Sequence, residues 1–89
     1  MPQSTLTIRN QRGLHARAAS KFVKLAGQFD ADIKVAKDGQ EVSGRSIMGL
    51  MMLAAAKGSV INIQVDGADE GDAMTALVVL IQRRFDEAE

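Results

Sequence analysis

Residues 32–43 read DIKVAKDGQEVS, and this stretch decides which way the strands of the chain run. From Asp32 to Lys37 apolar and polar residues alternate through Ile33 and Val35, the period-2 pattern of a strand with one buried face. Asp38-Gly39 is a two-residue hairpin signal that turns the chain into Gln40–Ser43. Two antiparallel strands are predicted. Upstream, Ser4 to Arg9 alternates in the same way, with Leu6 and Ile8 on one face and Thr5, Thr7 and Arg9 on the other. A loop of Gln11, Arg12 and Gly13 follows. From Ala16 to Ala26 the residues Ala18, Ala19, Phe22, Val23, Leu25 and Ala26 recur at helical spacing, and Gly27 suits the position just past the helix end.

Downstream, Ser46 precedes Ile47, Met48, Leu50, Met51, Met52 and Leu53, which predicts a short helix capped by Ser46 with Gly49 in its interior. Lys57-Gly58 closes that region. Val60, Ile61, Ile63 and Val65 form a fourth strand, with Asn62 and Gln64 on its other face and a turn at Asp66-Gly67. The longest helix is expected from Glu70 to Phe85, with Asp69 as its N-cap, acids in its first turn and Arg83-Arg84 near its end. Its buried stripe is Ala73, Met74, Leu77, Val78, Leu80, Ile81 and Phe85. The order βαββαβα predicts an α+β fold, a four-stranded antiparallel sheet with three helices on one face. The other face, carrying Thr5, Thr7, Lys34, Asn62 and Gln64, is left open to water.

Eighty-nine residues make a single domain, 1–89, too small for a large substrate pocket. Hydrophobic residues at 46% and charged residues at 25% describe a soluble globule rather than a disordered or membrane-inserted chain. A formal net charge of zero provides no global field to recruit nucleic acid or a membrane surface. Aromatic residues are 3%, all phenylalanine, which argues against an RNA-stacking sheet. There is no cysteine, so no disulfide framework is expected, and Met1 is followed by polar residues rather than an apolar signal segment. The expected location is cytoplasmic.

His15 is the only histidine, and it stands where the loop after the first strand meets the first helix. By itself it reads as a loop histidine tolerating a helix entry, with Arg17 a solvated first-turn residue. The sharper reading is a phosphoryl acceptor. The N–H groups of Ala16, Arg17 and Ala18 lack partners within the helix and lie at its positive dipole end, where an anion is stabilised. Arg17 adds a planar cation suited to phosphate oxygens, and phosphoryl transfer spreads transition-state charge over three such oxygens. No metal is expected, because one histidine and no cysteine cannot build the usual zinc shell. No cofactor is expected, and no water-positioning group supports a small hydrolase of the acyl phosphatase kind.

Arg17, Ser20, Lys21 and Lys24 recur at spacings of three and four and share one helix face beside His15. Such a strip is ordinarily a solvated face; here it also fits a docking surface for acidic partners. Ile47, Met48, Met51 and Met52 are too many large apolar residues for one buried stripe. Methionines usually fill cores, but adaptable methionine-rich surfaces also serve proteins with several partners, as in a small regulatory module. Ser46 needs no role beyond capping, although a phosphate there would add about two negative charges beside an apolar surface.

The segment GLHARAAS, Gly13 to Ser20, followed by KFV, resembles the active-site signature of the HPr phosphocarrier family of the bacterial phosphotransferase system. SIMGLMMLAAAKG, Ser46 to Gly58, resembles its second signature, around a regulatory serine. The resemblance covers essentially the whole chain and implies an open-faced β-sandwich. It implies that His15 accepts phosphate at Nδ1 from phosphorylated enzyme I, itself charged by phosphoenolpyruvate, and passes it to enzyme IIA components. Such a carrier is a protein substrate rather than an enzyme. The resemblance further implies that Arg17 is the active-site arginine, that Ser46 is the target of HPr kinase in some bacteria, and that the helix from Ile47 docks partners. A monomer with no membrane insertion is expected. The wording is closer to nitrogen-branch or proteobacterial forms than to the sugar-dedicated enteric form. Where family members commonly have proline, this chain has Ala18. The N–H that proline removes is thereby restored, and it is expected to donate to the phosphoryl group at the cost of a less rigid helix start.

Overall fold

The computed structural model describes residues 2–86. Its elements are β1 (Gln3–Thr7), α1 (Ala16–Ala26), β2 (Asp32–Lys37), β3 (Gln40–Ser43), α2 (Ile47–Met52), β4 (Val60–Asp66) and α3 (Glu70–Gln82), followed by a last turn at Arg84–Asp86. The termini of the expected domain, residues 1 and 87–89, lie outside the described residues. The sheet order is β1-β4-β2-β3, and every neighbouring pair is antiparallel. Asp38 and Gly39 both take positive φ, 50° and 84°, as the tight turn between β2 and β3 demands.

Register explains why one sheet face is apolar. Ile33 lies opposite Val65 and Val35 opposite Ile63, so side chains that alternate along each strand coincide across the sheet. All four are buried beneath the helices, with Phe22 from α1, Leu50 from α2 and Leu77 and Ile81 from α3. The open face carries a polar ladder: Asn62 donates to Thr5 Oγ1 at 3.2 Å, and Gln64 donates to Asn62 Oδ1 at 3.3 Å. Thr5 and Lys34 are exposed there.

Four local expectations are corrected. β1 begins at Gln3 and stops at Thr7 rather than spanning Ser4 to Arg9, because β4 offers no partner before Val60. Ile8 leaves the sheet and instead exchanges backbone hydrogen bonds with Ser59 and Gly58, both 2.8 Å, while its side chain stays buried. Gly27 ends α1 in a right-handed conformation, φ −67°, and the chain closes through tight turns from Gln28 to Leu25 and Phe29 to Ala26. The carboxylate of Asp69 makes no cap bond to α3; it accepts from the Asp30 N–H at 2.7 Å and ties down the loop before β2.

The fourth correction concerns the end of α3. The helix stops at Gln82 instead of continuing to Phe85. Arg84, Phe85 and Asp86 all have positive φ, between 55° and 58°, a conformation costing on the order of 1 kcal/mol per non-glycine residue. Full burial of the Phe85 ring offsets part of that strain, since such a side chain taken out of water contributes roughly 1.5–3 kcal/mol. Lys21 Nζ donates to the Phe85 carbonyl at 2.6 Å, and Arg83 pairs with Asp86 at 3.0 Å.

Candidate functional site

His15 is itself the N-cap of α1. Its backbone is extended (φ −78°, ψ 178°), its carbonyl accepts the Ala19 N–H at 2.8 Å, and its ring Nδ1 accepts the Arg17 N–H at 3.2 Å. Serine, threonine, asparagine and aspartate usually take this position. With Nδ1 accepting, the ring proton of the neutral imidazole sits on Nε2. The ring is half-buried, so one edge faces solvent while the other is held against the helix start. The helical ladder begins with the Ala19 N–H, which leaves the amides of Ala16, Arg17 and Ala18 ahead of it in the first turn.

The loop that presents His15 is fastened to the segment after α2. The Leu14 N–H donates to Ala55 O at 2.8 Å. Gly13, at φ +63°, lies so close that a Cβ there would fall 2.2 Å from Ala55 O and 2.7 Å from Ala56 Cα. Only glycine fits that approach and that backbone conformation. Buried Asn10 closes the turn, donating from Nδ2 to Gly13 O at 2.8 Å. Between the two segments lies an open depression of about 220 Å³ lined by Arg12, Leu14, His15, Ala54, Ala55 and Ala56. It is below the size of the clefts that engulf drug-sized ligands. It fits a small group delivered from outside.

Of the residues singled out from the sequence, Ala16, Arg17, Ser20 and Lys24 are exposed on α1, and Ala18 has a buried side chain. Lys21 is set apart from its strip: its ammonium is half-buried on the C-terminal turn. Ser46 caps α2, its Oγ accepting from the Gly49 N–H at 2.9 Å. Gly49 is explained by closeness, since a Cβ there would meet Ser46 Oγ and Val42 Cβ at 3.1 Å. Ile47, Met48, Met51 and Met52 are all exposed, while Leu50 and Leu53 fill the core. α2 packs against α1, and the chain runs from its end through Leu53 directly into the depression's Ala54–Ala56 wall.

Two features of the site have no signal in the sequence. Arg12 lines the depression beside His15, although in sequence it is only a loop residue. Ala54–Ala56 wall the site through backbone contacts that no side-chain pattern announces. Among the described residues no group of three or more histidine, cysteine or acidic side chains is placed to hold a metal, and no helix is long and apolar enough to cross a membrane.

Comparison with known proteins bears on the family and the fold. A family model described as the PTS HPr component phosphorylation site matches residues 2–83. The phosphocarrier protein HPr of Neisseria meningitidis is 53% identical over 89 residues, covering both chains fully. The crystal structure of HPr-C-His from Thermoanaerobacter tengcongensis superposes with a TM-score of 0.95 at 43% identity, again over the whole of both chains. A structure of an HPr dimer from the same organism matches with a TM-score of 0.78 at 44% identity, over 98% of this chain and all of that one.

Proposed function

Since the chain belongs to the HPr family of phosphocarriers of the phosphotransferase system, we propose that His15 Nδ1 is the atom that carries the phosphoryl group. The observation behind this reading is the cap bond from Arg17 N–H to Nδ1. Phosphorylated enzyme I presents its phosphoryl group at the depression. The Nδ1 lone pair leaves the Arg17 amide and forms a bond to phosphorus as the bond to the donor breaks; Nε2 keeps its proton throughout. The Arg17 N–H then has a phosphoryl oxygen as acceptor, joined by the amides of Ala16 and Ala18 at the positive end of α1. The Arg17 guanidinium, free to swing in from solvent, offsets charge on the transferring group. Arg12 supplies a second cation at the other wall.

Passing the group on reverses these steps toward an enzyme IIA component. A half-buried ring in a shallow depression suits this work, because both partners must reach the same nitrogen in turn. They dock on the exposed residues of α1, Arg17, Ser20 and Lys24, and on Ile47, Met48, Met51 and Met52 of α2, with the cations speeding encounter with acidic surfaces. Lys21 sits at the margin of that surface. Ser46 is a regulatory phosphorylation site for an HPr kinase, its phosphate adding about two negative charges at the edge of the apolar face. The protein acts as one domain over residues 1–89, cytoplasmic and monomeric.

The test is transfer itself. The monomeric fraction from size exclusion, incubated with enzyme I and labelled phosphoenolpyruvate, should yield an acid-labile, alkali-stable phosphoprotein that gives up its label to a IIA component. His15→Ala should take up none. Label retained by that variant would place the carrier site elsewhere.

A further inference from the structure

The chain contains no cysteine, tryptophan or tyrosine, so its five methionines provide its thioethers and its most readily oxidised side chains. Three of them, Met48, Met51 and Met52, belong to the six residues of α2, with 73%, 44% and 67% of their surface exposed. Met48 faces Met52 at i,i+4 and Met51 at i,i+3, so the sulfurs gather on the outward side of the helix. Met74 is the contrasting case, 8% exposed and inside the core. The remaining one, Met1, lies outside the described residues.

Core filling does not account for this arrangement, because Leu50 and Leu53 already supply the buried side of α2 and its following turn. We propose that Met48, Met51 and Met52 form a reversible oxidation site that lowers the protein's affinity for its phosphotransfer partners. This rests on the reading of the α2 face as the partner-docking surface. The oxidant is hydrogen peroxide. A sulfur lone pair attacks one peroxide oxygen, an S–O bond forms as the O–O bond breaks, and water leaves; the thioether loses two electrons and the peroxide gains them. Each event turns a flexible apolar side chain into a polar sulfoxide. Methionine sulfoxide reductases of both stereospecificities reverse it at the expense of thiols.

Placement decides what such a change can do. The sulfoxide oxygens would project into solvent, so the free protein has no core contact to lose. The docked complex would have to desolvate them in an otherwise apolar contact, where an unpaired polar group is disfavoured. Oxidation therefore acts on partner binding and leaves folding and His15 chemistry intact.

Hydrogen peroxide titration followed by peptide mass mapping should show Met48 and Met52 oxidised first, Met51 next and Met74 last. The KM for this protein as a substrate of enzyme I should rise several-fold with kcat little changed, and should return after treatment with both reductases. The melting temperature should hold. In the triple variant Met48→Leu/Met51→Leu/Met52→Leu, compared with its own untreated form, peroxide should have no effect. Oxidation of Met74 as early as Met48, an unchanged KM in the oxidised protein, or equal peroxide sensitivity in the triple variant would each overturn the proposal. Unoxidised protein that takes no label from enzyme I would bring down the carrier reading on which the proposal stands; label that is taken up but indifferent to oxidation would bring down this proposal alone.

Discussion

The hydrogen bond from the Arg17 amide to His15 Nδ1 occupies the lone pair that a nucleophile needs. At 3.2 Å it is at the long end for an N–H donor, so it orients the ring while remaining easy to exchange. That exchange gives Ala18 a testable role. If the phosphoryl group takes the place of the lone pair, the amide proton resonances of Arg17 and Ala18 should both move downfield on phosphorylation in proton–nitrogen correlation spectra. An Ala18 amide that stays in place would remove it from the phosphate's donors and leave the missing proline without functional consequence. A rare residue type at a predicted helix start made His15 visible from sequence. Its service as the cap itself was not visible, because histidine is uncommon there, and Arg12 was hidden because only the folded loop brings it to the depression.

Among the elements, α2 shows how a short helix divides its duties. Its cap is one bond, Ser46 Oγ to the Gly49 amide. Ser46→Ala should lower stability by about 1 kcal/mol, the usual value of such a cap, measurable by denaturant unfolding. Ser46→Asp separates capping from regulation, because aspartate caps as well as serine but adds charge beside the docking face. Its phosphorylation by enzyme I should be slower than that of the wild type; an equal rate would remove the basis for a regulatory phosphate at this position. Strand and helix identities followed from periodicity, and the ends did not. β1 halts where β4 runs out of partners, which depends on a strand some 50 residues away in sequence. Asp69 looked like a cap because local signals cannot show that Asp30 competes for its carboxylate.

Across the whole molecule, the open sheet face and the helical layer were legible from alternation alone, since register aligned Ile33, Val35, Ile61, Ile63 and Val65 toward one side, with Val60, 54% exposed, the large apolar residue left on the other. The end of α3 was not, because its helical stripe includes Phe85 whether the chain continues straight or reverses. The left-handed turn brings that ring into the core and sets its carbonyl on Lys21, joining the last described residues to the helix that carries the site. Phe85→Ala should cost about 3 kcal/mol or more, which for a domain of this size lowers the melting temperature by roughly 12 °C or more. A drop of only a few degrees would mean that the turn's strain nearly cancels the burial.

The contact of Gly13 with Ala55 and Ala56 also fixes the smallest portable unit of this protein. The histidine loop has no wall of its own; it borrows the backbone that follows α2. A graft of residues 13–20 onto a foreign scaffold would carry the nucleophile and its helix but leave behind the surface that sets the loop's path. Any transplant, chimera or minimised version must therefore move both stretches together, as two halves of one seam.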